Sequence, residues 1–365
     1  MKSYNEFMEY IKENVTDYLP ERFEEAEISI QQVVKNNDVV LDGLSIRNPD
    51  SNLSPNIYLN PLYEQYQKGR NLDELVSGIA DTYIENMEPI ENRTFQVQIE
   101  DIKNYEVVKG EIFPRLVNLE KNTTRLQNVP YMQREDLAIT YHVKVSGNRD
   151  SIGSLMITNE LMEVYGVTKE KLHTQAMENM ERLSPPVFLP LGEMIVDVMT
   201  EDFGRNEGVS QEEAKEYVKD MIPTGGPNVY CLTNQYKMNG AVGIMSESIQ
   251  QMVADRVGGD YYVLPSSVHE VLIVPQSAGM DSEELTDMVN TVNEGCVMQD
   301  EILSDHVYQY DAKEHKLSLC APAKEMKQEQ TMEQNRQPAF EEKSIDATKQ
   351  PEQSHEPIKH SGRSH

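Results

Sequence analysis

Residues 261–275 read YYVLPSSVHEVLIVP, two apolar runs on either side of a short polar connection. Aromatic and β-branched residues favour strands, and two such runs joined this closely are typical of a hairpin. Hairpin-type turns recur along the chain, and strands and helices mix without the regular βαβ rhythm of a parallel sheet. We therefore predict an α+β fold, with mainly antiparallel sheets and flanking helices.

Other stretches support this fold class. Asn36-Asn37-Asp38 separates two apolar runs, and Asn tolerates the left-handed backbone that a tight turn needs. Residues 137–145, LAITYHVKV, have strong strand character. Ser3 and Glu6 match a capping box and predict a first helix, whereas residues 241–245 are predicted to form a strand that leads into a helix.

The elements group into regions along the chain. Residues 1–110 are predicted to form a helix, hairpin, helix and helix, followed by a central α+β region over 111–225. A C-terminal α+β region follows over 226–320. Residues 321–365 are poor in Leu, Ile, Val and Phe and rich in Glu, Gln, Lys, Ser and Pro, so we expect a disordered tail.

The charge balance narrows the classes of partner. The chain has 62 Asp and Glu residues against 33 Lys and Arg residues, a formal net charge of −29. Proteins that bind phosphates need basic side chains on the contacting face, so we expect no direct binding to nucleic acid or to a membrane. The local motifs of nucleotide, zinc-protease and EF-hand sites do not occur in the sequence, and we expect no cofactor.

The cysteines and apolar runs bear on location. Cys231, Cys296 and Cys320 are widely separated and form no CxxC pair, which argues against a disulfide framework and a thiolate zinc site. The histidine spacing predicts no metal site. The N-terminus has no apolar signal core, and the apolar runs are far shorter than the roughly 20 residues of a spanning helix. We expect a cytoplasmic protein.

The polar connection of the 261–275 hairpin carries a candidate reactive group. Ser266 or Ser267, activated by His269 with Glu270 orienting the imidazole, is the pattern of a hydrolase-like nucleophile, completed by distant residues such as His306 or Asp305. Neighbours in a turn seldom point at one another, however. In the alternative interpretation, the serines tie the backbone of the turn while His269 hydrogen-bonds nearby.

An acidic stretch is the second candidate site. Residues 257–312 contain no Lys or Arg and 11 Asp or Glu residues. They either form a solvated face that aids solubility, or a docking face for a basic protein, or a mimic of nucleic-acid charge. The residues predicted to bind a basic partner are Asp281, Glu283, Glu284, Asp287, Asp300, Glu301 and Asp305.

Six runs of the sequence carry a family resemblance, and the last two of them are distinctive. The six are Val34–Leu44, Pro55–Leu59, Val229–Asn234, Gly240–Ala241, Gly259–Leu272 and Leu303–Tyr308. On these runs the chain resembles a family of uncharacterised proteins from clostridial gut bacteria, domain of unknown function 5688. The resemblance covers most of residues 1–320 and implies a cytoplasmic protein of gut Firmicutes, encoded in genomes and mobile elements. It implies no activity and no ligand.

Three functions are left open by the sequence. The first is a non-enzymatic binding or accessory protein that uses the acidic stretch as its docking face. The second is a hydrolase-like enzyme with a Ser/His/Glu site at residues 266–270. The third is an acidic mimic of nucleic acid.

Overall fold

The described chain builds its strands into three sheets with helices packed on them. In the computed structural model, residues 1–47, 56–91, 101–147, 152–219, 221 and 228–320 are described. Met1–Cys320 forms one compact unit. The tail predicted over 321–365 lies outside the described residues.

The helices and strands have the following bounds. The helices are α1 (Tyr4–Asn14), α2 (Leu59–Gln67), α3 (Leu72–Glu91), α4 (Tyr105–Val108), α5 (Thr123–Leu126), α6 (Asn159–Tyr165), α7 (Lys169–Leu183), α8 (Leu191–Glu207), α9 (Gln211–Lys219), α10 (Glu247–Val257) and α11 (Ser282–Gly295). The strands are β1 (Glu27–Val34), β2 (Val40–Arg47), β3 (Asn56–Tyr58), β4 (Ile112–Asn118), β5 (Tyr131–Arg134), β6 (Leu137–Gly147), β7 (Ile152–Met156), β8 (Pro186–Pro190), β9 (Tyr230–Asn234), β10 (Tyr261–Leu264), β11 (Val271–Pro275), β12 (Tyr308–Asp311) and β13 (Lys316–Leu319).

The first sheet has the order β1-β2-β3 and packs against α1, α2 and α3. The predicted capping box is present, because the Ser3 hydroxyl and the Glu6 carboxylate each accept a backbone N–H of the first turn of α1. Phe7 and Ile11 lie one turn apart on α1 and are fully buried, so this helix contributes a narrow apolar face to the first core.

The second sheet pairs β4, β5 and β7 with the long strand β6. Side chains alternate between its faces. Leu116 and Tyr141 lie on the face that packs against α7, in a cluster of buried apolar side chains from the second and third sheets that we call the main core. Arg115 and its cross-strand partner Thr140 lie on the opposite face, followed on β6 by His142. That opposite face forms part of a polar cavity.

The third sheet has the order β13-β12-β10-β11-β9-β8, and every neighbouring pair is antiparallel. β10 and β11 form the hairpin predicted from residues 261–275, with Leu264 opposite Leu272. Residues of one face, such as Tyr261, join the main core with α10. Residues of the other face, including Leu264, pack under Leu285 of α11. The predicted α+β class with antiparallel sheets is confirmed.

One local prediction is wrong. Residues 241–245 are not a strand but part of a 3₁₀ helix, Gly240–Met245, that leads directly into α10. Ala241, Val242 and Ile244 are buried, so the apolar run was real, but a short buried run is compatible with either structure.

Two of the predicted regions contribute strands to the same sheet. β8 comes from the region 111–225 and pairs with β9 of the region 226–320. The division of residues 1–320 into three regions stays a prediction. Within the described part of the chain, no helix has the length and apolar character required to cross a bilayer.

Candidate functional site

The connection between β10 and β11, residues 265–270, separates two cavities; we call it the 265–270 loop. Ser266, Ser267 and Glu270 line an apolar cleft on one side. Val268 and His269 line a polar cavity on the other. The residues that the sequence grouped into one site therefore face two different environments.

The backbone of the 265–270 loop is held by close neighbours. The N–H of Gly240 and the hydroxyl of Thr233 both donate to the carbonyl oxygen of His269, at 2.9 and 2.8 Å. The N–H of Val268 donates to the carbonyl oxygen of Glu301 at 2.9 Å. A β-carbon at Gly240 would lie 2.8 Å from the His269 carbonyl oxygen, so the chains approach as closely as only glycine allows.

The apolar cleft lies on the outer face of the third sheet between α8 and α11. Its volume is about 350 Å³, within the range of ligand-binding pockets, and its walls are mainly aliphatic. The lining residues are Leu191, Met194, Val198, Cys231, Thr233, Lys237, Leu264, Ser266, Ser267, Glu270, Leu272, Met288, Val289, Val292 and Val297.

Exposed apolar side chains lie on the two helices that border the cleft; we call them the apolar rim. Met288 is 46% exposed and Val292 is 38% exposed on α11, and both also line the cleft. Ile195, Val198 and Met199 are similarly exposed on α8. Clustered exposed apolar side chains mark binding surfaces more often than single ones do.

The cleft disfavours charge. Burial raises the pKa of Glu270, while hydrogen bonding by Ser267 and the nearby His269 act in the opposite direction. Burial also raises the pKa of the Cys231 thiol, to about 12. Because the thiolate is the reactive form of cysteine, burial of Cys231 disfavours its use as a nucleophile. The cleft is suited to an apolar guest.

The imidazole of His269 points away from the serines. Its Nδ1 accepts a hydrogen bond from the N–H of Asn239 at 3.2 Å, so Nε2 carries the proton and donates to Glu301 Oε1 at 3.2 Å. Ser267 Oγ accepts the backbone N–H of His269 at 3.0 Å, as a serine that ties a turn does. The Ser/His/Glu arrangement predicted from the sequence is therefore not assembled in the described structure.

The distant histidine does not complete that arrangement. His306 Nδ1 lies 3.0 Å from Asp136 Oδ2, and His306 lines neither cavity. Asp136 also accepts hydrogen bonds from the hydroxyls of Ser304 and Tyr308. His306 thus belongs to a separate polar cluster around Asp136.

The polar cavity lies between the first sheet, the second sheet and the 265–270 loop. Its volume is about 270 Å³. The lining residues are Val34, Lys35, Asn36, Arg115, Leu116, Val117, Arg125, His142, Asn239, Val268, His269, Asp300 and Glu301. Both signs of charge are present, in contrast to the apolar cleft.

The Asn-rich turn between β1 and β2 forms one wall of the polar cavity. Asn37 has φ 59°, the left-handed conformation expected from the sequence. Its backbone N–H and its side-chain Oδ1 both hydrogen-bond the amide of Asn122, each at 2.9 Å. Its Nδ2 donates to the carbonyl oxygens of Gln299 and Ile302, at 2.8 and 2.7 Å. The turn therefore anchors the first sheet against the cavity wall.

The basic groups of the polar cavity are partly or fully buried. Burial lowers the pKa of Arg115 to about 10, and the nearby Arg125 adds to the effect. Burial also lowers the pKa of Arg125, while Asp38 raises it. His142 is completely buried, and burial together with the two guanidinium groups holds its pKa well below the ordinary value. At neutral pH both arginines are charged and His142 is neutral.

The acidic residues predicted as one docking face lie in different places. Glu283, Glu284 and Asp287 are exposed on α11, next to the apolar rim. Asp281 is the N-cap of this helix and forms a capping box with Glu284.

The remaining predicted docking residues lie elsewhere. Asp300 and Glu301 line the polar cavity. Asp305 pairs with Lys121 Nζ at 2.9 Å and accepts a hydrogen bond from Asn293 at 2.8 Å. Of the predicted docking residues, only the acids of α11 lie together, and their role in docking stays a prediction. No group of three or more His, Cys, Asp or Glu side chains in the described ranges is arranged to hold a metal ion.

Comparison with known proteins places the chain in a family. The model of a family of unknown function, DUF5688, matches residues 4–312. The chain belongs to the DUF5688 family. The match confirms the family expected from the distinctive runs, and it contains the described residues of both cavities of this DUF5688 protein. No curated protein and no solved structure matches the chain.

Two parts of these cavities were missed by sequence reasoning. α8 forms one wall of the cleft, and its signal was the spacing of Leu191, Met194 and Val198 by three and four residues. The arginine pair of the polar cavity had a weaker signal. Arg115 is a lone charge inside an otherwise buried strand, whereas nothing local linked it to Arg125.

Proposed function

We propose that this DUF5688 protein is a non-enzymatic binding protein whose apolar cleft receives the apolar face of a helix from a basic partner protein. The observation that carries the proposal is the apolar rim. Met288 and Val292 of α11 and Val198 of α8 both line the cleft and remain exposed, so cleft and surface are continuous.

The shape of the cleft favours a helix as the occupant. Two helices, α8 and α11, border a floor built from the strands of the third sheet. An amphipathic helix binds such a groove with side chains spaced three and four residues apart. Met194 and Met288 are flexible and polarisable, so the walls adapt to different apolar side chains.

The charges around the cleft favour a basic partner. Glu284 lies one helical turn before Met288, and Asp202 lies one turn after Val198, so acids lie at both helices beside the rim. The cationic side chain lining the cleft, Lys237, is paired with Glu201 at 2.8 Å. Opposite charges on the partner would orient the helix and accelerate association, and salt would weaken it.

A designed peptide tests the proposal directly. The probe is an 18-residue amphipathic helix of Leu and Lys with a fluorescent label, compared with a Leu and Glu helix of the same pattern. We expect saturable anisotropy changes for the Lys peptide and none for the Glu peptide, with affinity that falls as salt is raised. Equal binding of the two peptides, or binding of neither, would overturn the proposal.

Matched variants locate the binding surface. Val292→Asp places a charge at the apolar rim, and Val164→Asp makes the same change at an exposed valine of α6. Asp287→Lys has Glu163→Lys of α6 as its counterpart. We expect binding to fall at least tenfold for Val292→Asp, to weaken for Asp287→Lys, and to be unchanged in both controls. Equal losses in rim and control variants would contradict the location.

The two other functions have separate tests. A nucleic-acid mimic would release its basic partner when duplex DNA is added and would bind that partner equally well after Val292→Asp, whereas a helix held in the apolar cleft requires the apolar rim. A hydrolase-like site would rest on Ser267 and Glu270 without the imidazole of His269. We expect Ser267→Ala to leave hydrolysis of a p-nitrophenyl ester at the background rate. We also propose that the protein is cytoplasmic and comes from gut Firmicutes.

A further inference from the structure

The polar cavity contains two arginines without ionic partners. Arg115 and Arg125 both line it, and neither has a carboxylate oxygen within 4.0 Å among the described residues. The charge of Asp38 raises the pKa of Arg125. The Asp38 oxygens, however, accept the backbone N–H groups of Thr124 and Arg125, at 2.8 and 3.2 Å. In a chain with 29 excess negative charges, two unpaired arginines at one cavity are unexpected.

Arg115 is held in place by its neighbours, but part of its guanidinium group has no hydrogen-bond acceptor. One of its terminal nitrogens donates to Ser154 Oγ at 2.9 Å, and its guanidinium lies 5.5 Å from the ring centre of Phe113. Its Nε is buried and has no hydrogen-bond partner. A buried donor without an acceptor is costly, and in native proteins it often indicates a missing ligand.

The other charged groups of the cavity do not neutralise the arginines. Glu301 accepts a hydrogen bond from His269, and His142 is neutral and adds no negative charge. Asp300 and Lys35 complete the charged lining. Guanidinium groups bind phosphate and carboxylate with paired hydrogen bonds, whereas Asp300 and Glu301 can accept hydrogen bonds from hydroxyl or ammonium groups of the same ligand.

We propose that the polar cavity binds a small polar metabolite whose phosphate or carboxylate group lies between Arg115 and Arg125. The volume of about 270 Å³ limits the ligand to a small molecule. Binding would pair both guanidinium groups and reduce their mutual repulsion. This site is separate from the apolar cleft, which lies on the other side of the 265–270 loop.

Thermal unfolding of the full chain tests the proposal, with inorganic phosphate and acetate as the probes at constant ionic strength. Arg115→Gln and Arg125→Gln remove one guanidinium each, and Arg134→Gln removes an exposed one as a charge-matched control. We expect a saturable rise in melting temperature with at least one anion for the wild type and for Arg134→Gln. Each cavity variant should lose that rise.

Each result has a defined meaning. A response to phosphate alone assigns a phosphate ligand, and a response to acetate assigns a carboxylate. No saturable response to either anion, or the same response in all variants, would overturn the proposal. If Arg115→Gln fails to fold, Arg125→Gln decides, and calorimetric titration of that variant with the active anion should show at least a tenfold loss of affinity.

Discussion

Replacement of Gly240 by alanine should strongly destabilise the protein. The added β-carbon would lie 2.5 Å from Thr233 Oγ1, 2.6 Å from the Asn234 backbone nitrogen and 2.8 Å from the His269 carbonyl oxygen. Two of these atoms belong to the backbone and cannot rotate away. The 3₁₀ helix must therefore move from the 265–270 loop.

The loss in free energy of unfolding depends on the contacts that this movement breaks. The Gly240 N–H and the Thr233 hydroxyl both bond the His269 carbonyl oxygen. Each hydrogen bond contributes about 1 kcal/mol net, and overpacking adds about 1–3 kcal/mol. Alanine recovers less than about 1 kcal/mol by restricting the unfolded chain. We expect the free energy of unfolding to fall by about 2–5 kcal/mol.

Urea unfolding followed by circular dichroism measures this loss, and Gly243 provides the control. It lies in the same 3₁₀ helix, but a β-carbon there would first meet Ile249 Cδ1 at 3.6 Å, an ordinary contact. Gly243→Ala should stay within about 1 kcal/mol of the wild type. If the two alanine variants were equally stable, the close approach at Gly240 would not constrain the loop.

Three further predictions concern single side chains. Folding raises the pKa of Glu270, so the contribution of this group to stability is full below its unfolded pKa of about 4.3 and is lost as the pH rises through its folded pKa. Glu270→Gln should therefore raise the melting temperature at about pH 7.5 but not at about pH 4. A gain that is independent of pH would contradict this cause. Cys296 is exposed and should react with a disulfide reagent in the native protein, whereas Cys231 should react only after unfolding, as mass spectrometry of labelled peptides would show. Asn37→Ala removes hydrogen bonds to two backbone carbonyls and to Asn122. It should lower the free energy of unfolding, measured in urea titrations, by about 2–4 kcal/mol. A change below about 1 kcal/mol would mean that these bonds do not anchor the turn between β1 and β2.

Local features of the fold were predictable from the sequence. The β10–β11 hairpin and the capping box at Ser3 are specified by residues a few positions apart, so periodicity and residue type are sufficient. The 3₁₀ helix at Gly240–Met245 was not, because its conformation depends on contact with His269 in another part of the chain.

The candidate sites depend even more than the 3₁₀ helix on contacts between residues that are far apart in the sequence. Ser267 and His269 are neighbours in sequence, yet they line opposite cavities because the loop between them crosses from one to the other. The reverse holds for α8 and α11, which are far apart in sequence and face one cleft. Side-chain direction and long-range packing decide both cases, and neither can be read from spacing.

The reciprocal contact between Asn37 and Asn122 has a consequence for the evolution of the protein. The backbone N–H of Asn37 donates to Asn122 Oδ1, and Asn122 Nδ2 donates to Asn37 Oδ1, across 85 positions of the chain. A change at either position therefore leaves polar groups of the other without a hydrogen-bond partner. The two positions should therefore be inherited as a pair. A chimera that takes its first sheet from one relative and its second sheet from another should assemble only when both halves carry the matching partner.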